Sequence, residues 1–323
     1  MNMRDLIKEL EKFSADKNMS YGKIAKAMGI GQSTLSEVRN GTYKGDPSAV
    51  MEKIKDFLER HKEKMRRINF SCDTDVRKRV FYAIDLVKKY VASNVSEQII
   101  ESAKIAYIVG RAGIGKTHAL REYARTYKAK CIFITAENNI TDTVLVRKVA
   151  KELGIATNGR TEEIKDNIKA AVKFTETLVI IDEGEHLKPK VIDVMRSIAD
   201  QTGIGLVIAG TEKLKHQLLS QRGEYEYLLS RAATIMQLNS LSTEDVGKIV
   251  KKFLGSDVEL YDESKLSSLI NLISTTVKGS ARQLNNLLTL ASDIASRPEN
   301  VALTDGLITE AHIKAATKLL FIV

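Results

Sequence analysis

Residues 110–117 read Gly110-Arg-Ala-Gly-Ile-Gly115-Lys116-Thr117, a complete G-x-x-x-x-G-K-[ST] pattern. Each position has a chemical reason. Glycines let the backbone fold round a phosphate so that successive N–H groups face its oxygens. Lys116 can reach the β- and γ-phosphates of a nucleotide, and the Thr117 hydroxyl can ligate Mg²⁺. The expected cofactors are therefore ATP and Mg²⁺, and the expected contact set is Gly110, Gly113, Gly115, Lys116, Thr117 and His118. The flanks agree with this reading. The stretch 104–109 is a strand candidate before the loop, and 117–127 predicts an amphipathic helix after it. That helix aims its N-terminal dipole at the phosphate.

A second acidic motif lies further along the chain. Leu178-Val-Ile-Ile-Asp182-Glu183 is an apolar run that ends in two carboxylates. At the C-terminal end of a buried strand, Asp182 can orient the Mg²⁺ shell while Glu183 polarises an attacking water. Asp-Glu after a strand is also helix-capping chemistry. His186 follows closely but lacks the two-histidine spacing of a zinc helix, so it reads as structural or nucleotide-sensing.

The same alternation extends outward. Short apolar runs at 105–109, 132–135, 178–182, 205–209 and 233–238 are separated by amphipathic segments. Such runs predict a parallel sheet covered on both faces, an α/β class. Val76, Val80, Ile84, Val87 and Val91 set a helix just ahead of it. Beyond residue 240 the strands stop, and helices are expected near 242–254, 262–275, 280–296 and 309–319. The predicted organisation is a helical head over 1–65, a linker over 66–75, an α/β core over 76–240 and a helical lid over 241–323.

The head carries its own signal. In YGKIAKAMGIGQSTLSEVRN, residues 21–40, Ile24, Ala25 and Met28 form one apolar face, and Leu35 and Val38 form another. Small Ala25 lets two helices cross closely, and Gly29 can take positive φ where the chain reverses. The spacing matches a helix-turn-helix, with Gln32, Ser33, Thr34 and Arg39 on or near the exposed side of the second helix. Those four are the expected DNA contacts; a purely structural helical module is the alternative.

Composition narrows the partners and the setting. A net charge of +9 over 323 residues favours contact with a polyanion, although a solvated basic face gives the same number. The trio Arg147, Lys148 and Lys151 can be read either way. Two distant cysteines, Cys72 and Cys131, match no metal spacing and suit a reducing compartment. No apolar run approaches the roughly 18 residues of a bilayer span. The expectation is a cytoplasmic protein with no membrane partner.

Taken together, these motifs resemble the AAA+ ATPases, and the resemblance implies roles for three further residues. Thr211, after the fourth apolar run, stands where the family places its first sensor, a position more often held by Asn. Arg231, in Leu228-Leu-Ser-Arg231, stands where the family places an arginine finger that reaches a neighbouring subunit's nucleotide. A surface ion pair is the alternative for Arg231, and Arg222 is the fallback finger. Arg282, in Gly279-Ser-Ala-Arg282-Gln-Leu-Asn-Asn, matches the second sensor. The catalytic set implied by the resemblance is then Lys116, Asp182, Glu183, Thr211, Arg231 and Arg282.

Within that superfamily the chain resembles the B transposition proteins of Mu-like phages. The segment Ile-Ile-Asp182-Glu183-Gly-Glu-His186-Leu187 carries most of this resemblance, beside the phosphate loop, the helix-turn-helix head and the two arginine motifs. Membership implies ATP-dependent self-assembly on double-stranded DNA with little sequence specificity. It also implies delivery of target DNA to a transposase that stimulates hydrolysis. A replication-initiation or clamp-loading ATPase is one rival reading. A helix-turn-helix regulator with a nucleotide-switch domain is another, although a pure switch has no need of Glu183.

Overall fold

The computed structural model describes residues 3–16, 19–62, 68, 70–127, 131–220, 226–304 and 306–320. They fall into two units, Met1–Arg66 and Arg67–Val323. In the first unit, apolar residues three and four apart give each helix one sticky face. The helices are α1 (Met3–Asp16), α2 (Tyr21–Met28), α3 (Gln32–Asn40) and α4 (Ser48–Lys62). Leu10, Ile24, Ala25, Leu35, Val38 and Ile54 are fully buried at their centre. Gly29 closes α2 at φ 64°, a left-handed conformation that costs glycine nothing. The turn between α2 and α3 is the one the sequence predicts.

The second unit is built on a five-stranded sheet. It opens with α5 (Asp75–Glu97), β1 (Ile105–Val109), α6 (Lys116–Thr126), β2 (Cys131–Thr135), α7 (Asp142–Glu152) and α8 (Thr161–Val172). There follow β3 (Leu178–Asp182), α9 (Pro189–Thr202), β4 (Gly205–Gly210), α10 (Glu212–Ser220), α11 (Glu226–Leu229) and β5 (Ala232–Gln237). All paired strands run parallel, in the order β2-β3-β4-β1-β5. Every residue of β1, β3 and β4 is buried, as strands covered on both faces must be. Helices on the two faces divide the apolar interior into two clusters, one holding Ile108 and Ile180, the other Tyr107 and Ile181. Neighbouring residues of one strand thus serve opposite faces.

The remaining helices are α12 (Thr243–Leu254), α13 (Glu263–Val277), α14 (Ala281–Ala295), α15 (Pro298–Thr304) and α16 (Glu310–Leu319). All but α15 share one apolar cluster with α5 and α6. Ser242 and Ser280 cap α12 and α14 by accepting the N–H groups of Asp245 and Gln283. No helix among the described residues is long and apolar enough to cross a membrane.

One stretch is placed differently from a free connector. Within the expected linker 66–75, Ile68, Phe70 and Cys72 pack against the cluster that α12 and α14 build. The Ile68 N–H donates to Asn285 Oδ1 at 2.9 Å, and Lys252 Nζ donates to the Ser71 carbonyl at 2.8 Å. Residues 66, 67 and 69 of that stretch lie outside the described residues.

Candidate active site

Parallel strands put all their C-terminal ends at one edge of the sheet, and ligands of open α/β sheets bind there. Here that edge gathers the loop after β1, Asp182 at the end of β3 and Thr211 just after β4. The Gly110 N–H donates to the Gly210 carbonyl at 3.2 Å, which ties the loop to β4. Gly113 and Gly115 stand at φ +81° and +106°, where a side chain would be strained. Gly115 is also the N-cap of α6, so the helix points its free N–H groups into the loop.

Lys116 is only 8% exposed. Its ammonium donates to the carbonyls of Gly110 at 2.7 Å and Arg111 at 2.9 Å. Burial pushes its pKa below the ordinary lysine value, and Glu185, Asp182 and Glu212 pull in the opposite direction. A buried cation with neutral carbonyl partners gains from an incoming anion, because paired buried charge costs less than lone buried charge.

Asp182 is 2% exposed. Its Oδ1 accepts the Glu183 N–H at 2.9 Å, whereas Oδ2 is buried without a hydrogen-bond partner. An orphaned carboxylate oxygen is costly unless a ligand completes it. With the Thr117 hydroxyl it offers the hard oxygen donors that Mg²⁺ prefers, so these residues fit the ion.

Glu183 holds φ +57°, a conformation that costs a residue with a side chain on the order of 1–3 kcal/mol. Its carboxylate is half exposed and stands 3.9 Å from His186 Nε2. A single tight helical turn, Gly184–His186, follows. From that turn Glu185 sends Oε2 to accept the Thr211 N–H at 3.1 Å, and its carbonyl accepts Gln217 Nε2 at 3.2 Å.

Beside the loop lies a cavity of about 290 Å³. Ile68, Phe70, Leu241 and Ile249 give it apolar walls, while Lys116, Thr117, His118, Arg282 and Asn285 supply polar groups. An apolar slot with a few polar groups suits a flat heterocycle. His118 Nε2 lies 3.0 Å from Ser71 Oγ, and burial pushes the Cys72 thiol pKa up. Sequence reasoning missed this wall. The signal was present as period-two alternation, since Ile68, Phe70, Cys72 and Thr74 all line the cavity.

The two arginines stand in different places. Arg282, at the start of α14, lines the cavity, and its N–H donates to the Gly113 carbonyl at 3.0 Å. Arg231 precedes β5, and the Ile105 N–H donates to its carbonyl at 2.9 Å. It therefore sits at the N-terminal edge of the sheet. At about 3.3 Å per strand residue, β1 alone separates the two edges by about 16 Å. Arg231 Nε lies 3.4 Å from Asp200 Oδ1, a carboxylate that also binds Arg196 and the Ala103 N–H. Arg222 lies outside the described residues.

In the head, Gln32 and Ser33 are exposed at the start of α3, and Thr34 is half-buried. Arg39 is turned onto its own unit, with its guanidinium 4.0 Å from the Tyr21 ring centre and 3.7 Å from Glu11. The basic residues of α7 are partly engaged as well, since Lys148 pairs with Glu137 at 2.6 Å.

Comparison with known proteins agrees with this geometry. Residues 99–218 match the family described as "AAA domain". The chain is 25% identical over 259 residues to the "Mu-like prophage FluMu DNA transposition protein B" of Haemophilus influenzae, covering 76% of this chain and 84% of that protein. It is 27% identical over 295 residues to the "ATP-dependent target DNA activator B" of Escherichia phage Mu, covering 90% of this chain and 89% of that one. The solved ORC2 protein of Aeropyrum pernix aligns with a TM-score of 0.56 at 18% identity, over 79% of this chain and 71% of the other. That last likeness concerns the fold. The second unit is an AAA-type, ATP-hydrolysing module, and the resemblance to the B transposition proteins holds over most of the chain.

Proposed function

We propose that this ATPase assembles on double-stranded DNA in its ATP-bound state and presents that DNA to a transposase. The observation that supports it most is the reach of the likeness to the phage target DNA activator. At 90% of this chain it exceeds the second unit, so it runs into the helical head as well.

In this reading the loop N–H groups and Lys116 hold the β- and γ-phosphates, and Lys116 exchanges the Gly110 and Arg111 carbonyls for phosphate oxygens. Thr117 and Asp182 would hold Mg²⁺, which when bound would neutralise charge on the phosphates. Glu183 accepts a proton from the attacking water. Thr211 senses the γ-phosphate from the β4 side, and Arg282 reports occupancy to the lid helices. The base occupies the cavity walled by Ile68 and Phe70.

Arg231 acts in trans. It stands at the edge of the sheet opposite its own phosphate loop, so it can complete only a neighbour's site. ATP then bridges subunits, and assembly along the duplex follows. Gln32 and Ser33 of the head are the exposed contacts proposed for DNA, with Thr34 at their side and Arg39 shaping the helix by its grip on Tyr21. Phosphate contacts supply most of the affinity, so binding weakens steeply with salt. The compartment is the host cytoplasm.

Electron microscopy of the full chain on random duplex DNA, with ATP, ADP or no nucleotide, tests this. Regular filaments formed only with ATP are expected. Discrete particles, or DNA binding indifferent to nucleotide, would defeat the reading.

A further inference from the structure

The acidic turn holds a carboxylate that the roles above do not use. Glu185 is half-buried, and its Oε2 accepts the backbone N–H of Thr211 across 26 residues of chain. Its carbonyl is held in turn by Gln217 of α10. The turn packs closely against the end of β4. A Cβ on Gly210 would lie 2.7 Å from Glu185 Oε2, and a Cβ on Gly184 would lie 2.6 Å from Ile208 Cγ2 and 3.1 Å from the Ala209 carbonyl. Glycine at both positions lets the turn lie directly on the end of β4.

We propose that Glu185 is a positioning residue that locks the turn carrying Glu183 to the strand end carrying Thr211. The two groups that face the γ-phosphate from different strands are thereby held at one spacing. Glu183 alone does not secure that spacing, because its own side chain is half exposed and its backbone is strained. The short turn after it is closed by the His186 N–H donating to the Glu183 carbonyl and the Leu187 N–H donating to the Gly184 carbonyl. The Glu185 bond adds a fixed point at Thr211, directly after the fully buried β4. The negative charges of Glu185, Asp182 and Glu212 also hold the Lys116 pKa up against the effect of its burial.

The role of Glu185 rests on the roles proposed above for Glu183 and Thr211. Loss of Glu185 should disturb the chemical step and spare nucleotide capture, which belongs to the loop and Lys116. Misplacing reacting groups by about 1 Å can cost on the order of 100-fold in rate.

The test uses full-length Glu185→Ala, Glu185→Gln and Glu183→Gln proteins with duplex DNA. It reads kcat and KM for ATP, the Kd of a fluorescent ATP analogue and the melting temperature. Glu185→Ala should lose about 10- to 100-fold in kcat, with analogue Kd and melting near wild type. Glu185→Gln keeps an oxygen that accepts the Thr211 N–H, so it should recover most of the rate. Unchanged kcat in Glu185→Ala would overturn the proposal. So would a Glu185→Gln protein as slow as Glu185→Ala, which would make the charge the active feature. Parallel loss of kcat, affinity and melting temperature would reduce Glu185 to a folding role. Rapid turnover by Glu183→Gln would remove the assigned role of Glu183 and overturn the inference independently. No transposase is present, so each outcome leaves the adaptor reading to its own test.

Discussion

The two edges of the one sheet are built on opposite principles. At the C-terminal edge, two buried charges are left partly unmet, since Lys116 rests on carbonyls and Asp182 has an orphaned oxygen, and the half-exposed Glu183 beside them sits in strained backbone. At the N-terminal edge one carboxylate gathers several partners among the described residues. Asp200 accepts from Arg196, Arg231 and the Ala103 N–H together. Unmet charge marks where a ligand completes the protein, because an unpaired buried group costs more than a paired one. A self-satisfied arginine at the far edge gains nothing from its own nucleotide. In the proposed reading, the nucleotide it serves is a neighbouring subunit's.

The largest expected effect breaks the second edge. Arg231→Ala should keep ATP affinity yet lose on the order of 10³-fold in the turnover of the DNA-bound assembly. Mixing it with Lys116→Ala protein should restore part of the turnover, because each variant supplies what the other lacks at a shared interface. If Arg231→Ala turns over normally, the far edge is only an ion cluster. If mixing restores nothing, the arginine does not act across subunits.

The next experiment tests the first edge. Lys116→Ala removes at least one charge-assisted bond worth about 1.5–3 kcal/mol, so ATP affinity should fall by about 10- to 100-fold or more. Fluorescent nucleotide titration checks this, and ATP-dependent assembly by the variant alone should vanish with it. Normal assembly by that variant would mean the unmet charge is not a phosphate site.

The smallest effect sharpens the contrast between packing and chemistry. Gly184→Ala forces a methyl against Ile208 and the Ala209 carbonyl. Overpacking of this kind costs about 1–3 kcal/mol, readable as a lower midpoint in denaturant unfolding of the full chain. An unchanged midpoint would show that the acidic turn is looser than its contacts imply.

Much of this was legible in the chain. The five strands start within one residue of the apolar runs, and the three central ones, β1, β3 and β4, are fully buried and therefore need continuous apolar sequence. The phosphate helix begins at Lys116, one residue ahead of the expected start, because Gly115 takes the cap. The reversal at Gly29 was equally plain, as local backbone freedom is written in a single residue. Less legible was the wall formed by Ile68, Phe70 and Cys72. A stretch so short, beside a basic run, looks like a connector until the helices it packs on are in place.

Residues close together in the chain suffice to specify the phosphate loop, the acidic strand end, the runs that become parallel strands and the helix-turn-helix spacing. Other facts needed the folded arrangement: Glu185 reaches Thr211, Arg39 turns onto Tyr21, and Arg231 lies on the far edge with Asp200. Those facts join residues brought together by strand order and by the packing of separate helices. Local spacing carries no record of which distant partner a charged side chain will meet.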